Sequence, residues 1–595
     1  MSASPDQILA QSYQRLTAGD AAGAERALQP LLMAPRQPAK AMLLLGIIRQ
    51  AQGRIGEAEA ALRSSAESEP RDPQAHYNLG VLLSRQQRHW EAAEAYRNAL
   101  KAAPRMDEAR LALALSLDAV DRQVEAEAEI NQCLAHGRTV ERLIAYARIM
   151  ANMQRYALAL AAYDEALTLK PGDRNLRFER AGILHKRRRV GEAAAEYEAL
   201  VATGPASEGL VLAQAAALRD AGRATEADES LDAGIASFPQ SVRLHQARSE
   251  ARLDRGEEDF DGAMTQALSR APENAALRIA LAGLLHRADR REEAEAIFRA
   301  GDVRHPGIAS SLATLLAQRG ALEESAAALA RIDLQSAHPR LRKQYAHTLL
   351  RLGRAEEAAP LIAAGVAAAP EDQEWVAYHA TCARQRGEEE FMRLCDPARF
   401  VYVADLPPPP GYGDVTSFNQ ELARKLDAIH GPYADHTNGL AQARAQVPRP
   451  LMDEDDPVIH AFLASAREAA RAFAATMPRD GEHPFYKRRR ADLSFSSAWT
   501  VRLLTNGSHT NHVHERGWIS SAYYVRLPSR AEGDPERAGW IKFGEPDEPM
   551  PGCEPIHWVE PKVGRLVLFP SYMWHGTEPF PREDRMTVAF DVVPA

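Results

Sequence analysis

At 595 residues the chain is too long for one hydrophobic core, which predicts several domains or an extended array. It is 45% hydrophobic and 26% charged but only 6% aromatic, a bias that favours helices packed on small side chains over a β-rich chain. A net charge of −9 argues against a nucleic-acid footprint, and the lack of any run of about 18 apolar residues argues against a membrane span.

The opening Met1-Ser-Ala-Ser-Pro-Asp-Gln7 has neither the basic nor the apolar stretch of a secretory leader. Cys133, Cys382, Cys395 and Cys553 are far apart and form no CxxC pair, which excludes a zinc knuckle or a disulfide framework. A reducing, cytoplasmic location is expected.

Up to residue 395 the sequence repeats. Prolines recur at Pro35, Pro70, Pro104, Pro171, Pro205, Pro239, Pro272, Pro306, Pro339 and Pro370, spaced by about 34 residues with one double gap after Pro104. Twelve residues before these prolines stand Ala58, Ala92, Ala159, Ala193, Ala294 and Ala358, and eight before stand Leu62, Tyr96, Tyr163, Tyr197 and Phe298. Leu45-Gly46 and Leu79-Gly80 recur in the early units. The alanine lets two antiparallel helices approach, the aromatic fills the gap, the glycine makes room for its partner, and the proline ends the second helix. The pattern resembles a tetratricopeptide repeat array over roughly residues 5–390, or about eleven units. That resemblance implies a superhelix with a concave face, and a protein or peptide held in its groove.

After Cys395 the period stops. Phe400–Val403 predicts a short strand, Pro407–Pro410 breaks any helix, and two helices are expected at Val415–Ile429 and Pro457–Thr476. The basic run Lys487–Arg490 is expected to be a solvated turn. Strand patterns follow at Ala498–Leu504, Ile519–Leu527, Gly539–Phe543, Arg565–Phe569 and Met586–Val592. Helices followed by evenly spaced strands predict, over 396–595, a double-stranded β-helix (jelly roll) with supporting helices, after an all-α array over 1–395. A fragment starting near residue 396 is expected to fold if its core is self-sufficient.

Histidines crowd these strands. His512 and His514 are two apart, so in an extended segment both side chains point to one face, and His575 follows another strand. Three such ligands make a facial triad that leaves positions open for a co-substrate. Arg585 opens the last strand with Thr587 on the same face, a guanidinium and a hydroxyl suited to a dicarboxylate. The bland alternative pairs Arg585 with Glu583 or Asp584. His509 and His557 are expected to be ordinary surface or core residues.

The segments Asn511–Val525 and Pro561–Gly576 resemble bacterial and phage 2-oxoglutarate/Fe(II) oxygenases, distant relatives of the prolyl hydroxylases, over about Ala498–Val593. By position the resemblance makes His512 the first ligand, His575 the distal ligand and Arg585 the 2-oxoglutarate anchor. The superfamily's usual carboxylate is here His514, leaving the site one charge more positive. Glu515 is the alternative, although in an extended segment it faces away from His512 and His514. The resemblance implies an Fe(II)- and 2-oxoglutarate-dependent dioxygenase acting on a protein or peptide that the repeats recruit. The competing readings are a scaffold that has kept only a metal, and a three-histidine dioxygenase that uses no 2-oxoglutarate.

Overall fold

The structure is a computed structural model that describes residues 4–594 except 36, 121, 335–337, 431–440, 443–444, 447–449, 505–506 and 582–583. Its chain divides into two compact units, Met1–Arg180 and Ala181–Ala595.

In the first unit antiparallel helix pairs follow one another. They are Pro5–Thr17 with Ala21–Leu32, Ala39–Ala51 with Ile55–Ser68, Pro73–Arg85 with His89–Ala102, Asp107–Ala119 with Gln123–Ala135, and Val140–Asn152 with Tyr156–Leu169. The last two pairs fill the double gap in the proline spacing. Several first helices start on a polar cap: Ser4, Asp72 and Thr139 each accept a backbone N–H of the first turn. Second helices end at Ser68, Ala102 and Leu169, two residues before Pro70, Pro104 and Pro171. Ala58, Ala92 and Ala159 are fully buried between partners. A Cβ on Gly80 would lie 2.6 Å from the Tyr96 ring, and one on Gly46 2.5 Å from Leu62, so the first helix can approach its partner only as glycine there.

An arginine at the head of many second helices pairs forward to a glutamate three residues on and back to an acid of the preceding unit. Arg88 does so with Glu91 and Glu59, both at 2.7 Å, and Arg54 with Glu57 at 2.6 Å and Glu25 at 2.9 Å. The second unit repeats the device at Arg223, Arg290 and Arg354.

Further helix pairs open the second unit, the last being Pro339–Arg351 with Ala355–Ala368, followed by Gln373–Gln385 and the short Glu390–Cys395. Two longer helices, Val415–His430 and Pro457–Thr476, then precede most of the strands. The strands are β1 (Tyr402–Asp405), β2 (Ala441–Gln442), β3 (Ala445–Gln446), β4 (Leu493–Leu503), β5 (Ser508–His509), β6 (Ile519–Arg526), β7 (Ile541–Phe543), β8 (His557–Val559), β9 (Arg565–Pro570), β10 (His575–Thr577) and β11 (Arg585–Pro594). They form an antiparallel six-stranded sheet ordered β1-β9-β6-β11-β4-β3, a three-stranded sheet β10-β7-β8 and the pair β2-β5. The architecture is thus helical repeats joined to a C-terminal antiparallel β-sheet region, which is coarser than the jelly roll expected from the sequence.

The structure differs from the expectations at three places. The core of the sheet region is shared with the preceding helices: one hydrophobic cluster runs from Ala346 and Leu349 through Trp375, Tyr378 and Leu394 to Phe462, Trp518, Phe569 and Val592. Residues 396–595 alone would therefore leave part of their own core facing water. The first strand begins at Tyr402, because Asp396 caps a short helix Pro397–Phe400 and the buried Phe400 ring stacks on His483 and Tyr486. The basic run is also no solvated turn. Arg488 donates to the Gly517 carbonyl at 3.0 Å and Arg489 to that of Met477 at 2.7 Å, their long stems lying against the protein and their guanidiniums satisfying carbonyls.

Candidate metal centre

The centre is built by two chain segments running against each other. His512 N–H donates to His575 O at 2.9 Å and His575 N–H returns to His512 O at 3.1 Å, so the two residues face each other as an isolated antiparallel bridge. His514 N–H donates to Ser571 O at 2.9 Å. Gly576, next to His575, has to be glycine: a Cβ there would meet Asn511 Oδ1 at 2.2 Å. Asn511 is held in turn by Glu545 and the Pro546 carbonyl, each at 2.9 Å.

This arrangement brings one nitrogen from each of His512, His514 and His575 within 4.8 Å of the other two. The second nitrogen of each ring is already committed. His512 Nδ1 lies 2.8 Å from Thr510 O, His575 Nδ1 2.9 Å from Met573 O, and His514 Nδ1 2.6 Å from Asp591 Oδ1. Carbonyl and carboxylate oxygens only accept, so the proton of each neutral imidazole is assigned to Nδ1 and its lone pair to Nε2. Burial, reinforced by the neighbouring imidazoles, lowers His512 to about 4 and pushes His575 well below the usual histidine range. The Nε2 atoms of His512 and His514 then stand 3.1 Å apart with no proton assigned between them. A cation among the three lone pairs relieves that repulsion, and neutral imidazoles oriented through their Nδ1 protons are what a first-row metal such as Fe(II) takes. The residues present fit a metal.

Glu515 is exposed and outside the cluster, its carbonyl accepting the Gln373 N–H at 3.3 Å. His509 is outside the cluster, with its ring 5.8 Å from that of His512, and burial lowers it to about 3. His557 sits on β8 with its ring 6.2 Å from Phe543, outside the cluster.

Arg585 is buried at the start of β11, with its guanidinium 5.0 Å above the Tyr524 ring and Nη1 donating to Gly539 O at 2.7 Å. Among the described residues its Nε has no hydrogen-bond partner, and neither has the buried Tyr524 hydroxyl. The pairing with Asp584 does not occur, because that carboxylate is taken by Arg502 at 2.6 Å and Arg526 at 2.8 Å; Glu583 lies outside the described residues. Thr587, two residues on and buried, is register partner to Tyr524 and Val501. A buried guanidinium that meets no carboxylate among the described residues, beside a hydroxyl likewise unsatisfied there, is a site that calls for an anion.

Two contributors escaped the sequence reading. Asp591 stands on β11 in the same alternation as Arg585 and Thr587, ahead of the register shift at Asp591/Val592, so period two alone could have found it. The other is helix Gln373–Gln385, which braces both histidine-bearing segments. Its Gln373 meets Glu515, its Tyr378 stacks on Trp574 at 6.3 Å between ring centres, and its Thr381 accepts from Trp574 Nε1 at 3.1 Å. No local signal could have shown that contact.

Residues 497–591 match the family described as "Putative 2OG-Fe(II) oxygenase", and residues 43–106 and 147–208 match the tetratricopeptide repeat. No curated protein matches the chain. Among solved structures, a tetratricopeptide repeat protein from Parabacteroides merdae aligns at 17% identity and TM-score 0.34, covering 41% of this chain and 96% of its own. PilF of Pseudomonas aeruginosa aligns at 20% and 0.29, covering 36% and 97%. A thermophilic repeat protein of Thermus thermophilus aligns at 25% and 0.25, covering 30% and 99%.

Proposed function

We propose that this protein is an Fe(II)- and 2-oxoglutarate-dependent dioxygenase that hydroxylates a protein or peptide recruited by its repeats. In this reading residues 1–395 are the recruiting array, and 396–595 are the oxygenase domain, a double-stranded β-helix completed by the last repeat helices. The observation that carries it is the convergence of three imidazole lone pairs in a segment whose sequence matches that oxygenase family. A cytoplasmic location is part of the proposal; among the described residues no helix is long and apolar enough to cross a membrane.

His512, His514 and His575 would hold the iron. Arg585 would bind the far carboxylate of 2-oxoglutarate in two-pronged fashion, with Thr587 as a hydroxyl donor and the unpartnered Tyr524 hydroxyl as another. Iron and 2-oxoglutarate, if bound there, would together supply the oxidising chemistry, in which dioxygen and 2-oxoglutarate give succinate, carbon dioxide and one oxygen atom for the substrate. The protein's own part is orientation. Thr510, Met573 and Asp591 fix the three rings through Nδ1, and the buried Phe543 and Phe569 and the half-buried Trp499 near them limit water around the centre.

The test is succinate formation by purified, iron-loaded full-length protein given 2-oxoglutarate. Iron-dependent succinate is expected. Oxygen consumption without succinate would make this a three-histidine dioxygenase of another kind, the reading that the His-x-His spelling favours. Metal binding with neither would leave a scaffold.

A further inference from the structure

The carboxylate missing from the metal-binding triplet is present one hydrogen bond away. Asp591 Oδ1 accepts His514 Nδ1–H at 2.6 Å and the Ser520 hydroxyl at 2.6 Å, while Oδ2 accepts the Ser497 hydroxyl at 3.2 Å. Ser520 in turn meets Ser571 Oγ at 2.8 Å. Gly517 leaves the space for this cluster, since a Cβ there would fall 2.3 Å from Ser571 Oγ and 3.3 Å from Asp591 Cγ. Asp591 is only 7% exposed, and among the described residues no Lys or Arg pairs with it. A buried carboxylate without a cationic partner is costly. Among the described residues, the one side chain bonded to it that can pass on positive charge is the His514 ring.

We propose that Asp591 is the positioning residue of the centre and carries the negative charge that a third histidine removes from the ligand set. The inference rests on the metal reading above. A divalent ion, three neutral imidazoles and one carboxylate sum to +1, the same as a divalent ion with two histidines and a directly bound carboxylate. The charge acts through the His514 ring: pulling on Nδ1–H makes Nε2 a stronger donor and holds the ring at one angle. His-x-His is then a rearrangement of the usual charge balance, with the carboxylate moved outward from position 514 to position 591.

Two substitutions separate orientation from charge. Asp591→Asn keeps an oxygen that can accept from His514 and loses the charge, whereas Asp591→Ala loses both. Co(II) affinity of the full-length protein is measured by competition with a chelator, alongside the visible bands of the bound Co(II) and the far-ultraviolet circular dichroism of the metal-free chain. The expected result is an unchanged fold, Co(II) binding about 10-fold weaker with displaced bands in Asp591→Asn, and about 100-fold weaker in Asp591→Ala. If Asp591→Ala does not fold, the isosteric Asn variant decides alone. Native affinity and native bands in Asp591→Asn, with binding abolished in His512→Ala, would overturn the inference and leave the metal site standing. Native Co(II) binding in both His512→Ala and His514→Ala would remove the metal site itself, and this inference with it.

Discussion

In the repeat pairs, a side chain finds its partners close by in the chain. Tyr163 bonds Glu179, 16 positions on, and Arg88 reaches Glu59, 29 positions back. Around the three histidines the partners are distant: His514 meets Asp591 across 77 positions, Tyr572 meets Leu394 across 178, and Trp574 meets Thr381 across 193. The first kind of structure is a sum of similar units, each resting on its neighbours, so damage stays local. The second exists only when the second unit has closed around it, so damage anywhere in that closure reaches the three histidines.

The largest test of this difference is truncation. A fragment of 396–595 loses Trp375, Tyr378 and Leu394 from the cluster it shares with the sheets. It should fail to melt cooperatively, whereas 181–595, the compact unit, should melt as a folded protein. A sharp thermal transition and a native near-ultraviolet dichroism spectrum in 396–595 would contradict the shared core. Smaller, and confined to one contact, is Trp574→Ala. It removes a side chain only 7% exposed that stacks on Tyr378 and bonds Thr381. Denaturant titration should show a loss of roughly 3–5 kcal/mol. Metal affinity should fall too, because the next residue is His575.

The two regions also differ in how far the sequence exposes them. A repeat is legible because Ala92, Tyr96, Gly80 and Pro104 all act within one unit, and their spacing is their mechanism. Strand runs and the two-residue step of His512 and His514 are legible for the same reason. The bracing of Trp574 by helix Gln373–Gln385 is a meeting of segments nearly 200 residues apart, and no periodicity encodes it. Arg488 misled for a related reason: a run of four basic residues looks solvated until the Gly517 carbonyl, 29 residues on, needs a donor. Asp591 was within reach of the two-residue alternation, but an aspartate near a strand end reads as ordinary surface until Ser497 and Ser520 are seen around it.

Acid should act on the second region through His430, whose ring is lowered to about 4, first by burial and then by Arg502, with its Nε2 at 3.3 Å from Thr500 Oγ1. The folded chain holds this imidazole neutral, while the unfolded chain takes up a proton near the ordinary 6.5. Its contribution is therefore present above about pH 6.5 and is lost as pH falls towards 4, a total on the order of 3 kcal/mol. Melting temperature of the metal-free protein against pH should fall less steeply between those limits in His430→Gln; parallel curves would clear His430. Glycines offer a like-for-like comparison at lower cost. Gly80→Ala and Gly517→Ala each force a Cβ into occupied space, at roughly 1–3 kcal/mol. Only the second should weaken Co(II) binding, since it displaces Ser571 and Asp591. Equal metal affinity in the two variants would show that the hydroxyl cluster behind His514 tolerates the shift.

The smallest effect should come from arginine, the residue type both regions use most differently. Arg88 is tied to Glu91 and Glu59 at 2.7 Å each, and these bonds raise its pKa, which on contact geometry alone would make it look important. Its side chain, however, keeps 35% of its exposure and Glu91 keeps 45%, so water and salt screen the pairs and its long side chain gives up rotamer freedom to make them. Arg88→Ala should cost about 0.5–1 kcal/mol in a denaturant titration at low salt and less at 1 M salt. Arg585 is the reverse case, a buried guanidinium with no carboxylate among the described residues, and its value should appear only with a ligand present. Arg585→Ala should leave iron content nearly unchanged and weaken 2-oxoglutarate binding, followed by calorimetry on the iron-loaded protein, by roughly 10- to a few-hundred-fold. In stability measurements without 2-oxoglutarate it should register no loss comparable to Trp574→Ala, because removing a buried charge that meets no carboxylate among the described residues also removes its desolvation cost. A large stability loss in Arg585→Ala with unaltered 2-oxoglutarate affinity would put Arg585 among the packing residues, and the contrast between the two kinds of arginine would collapse.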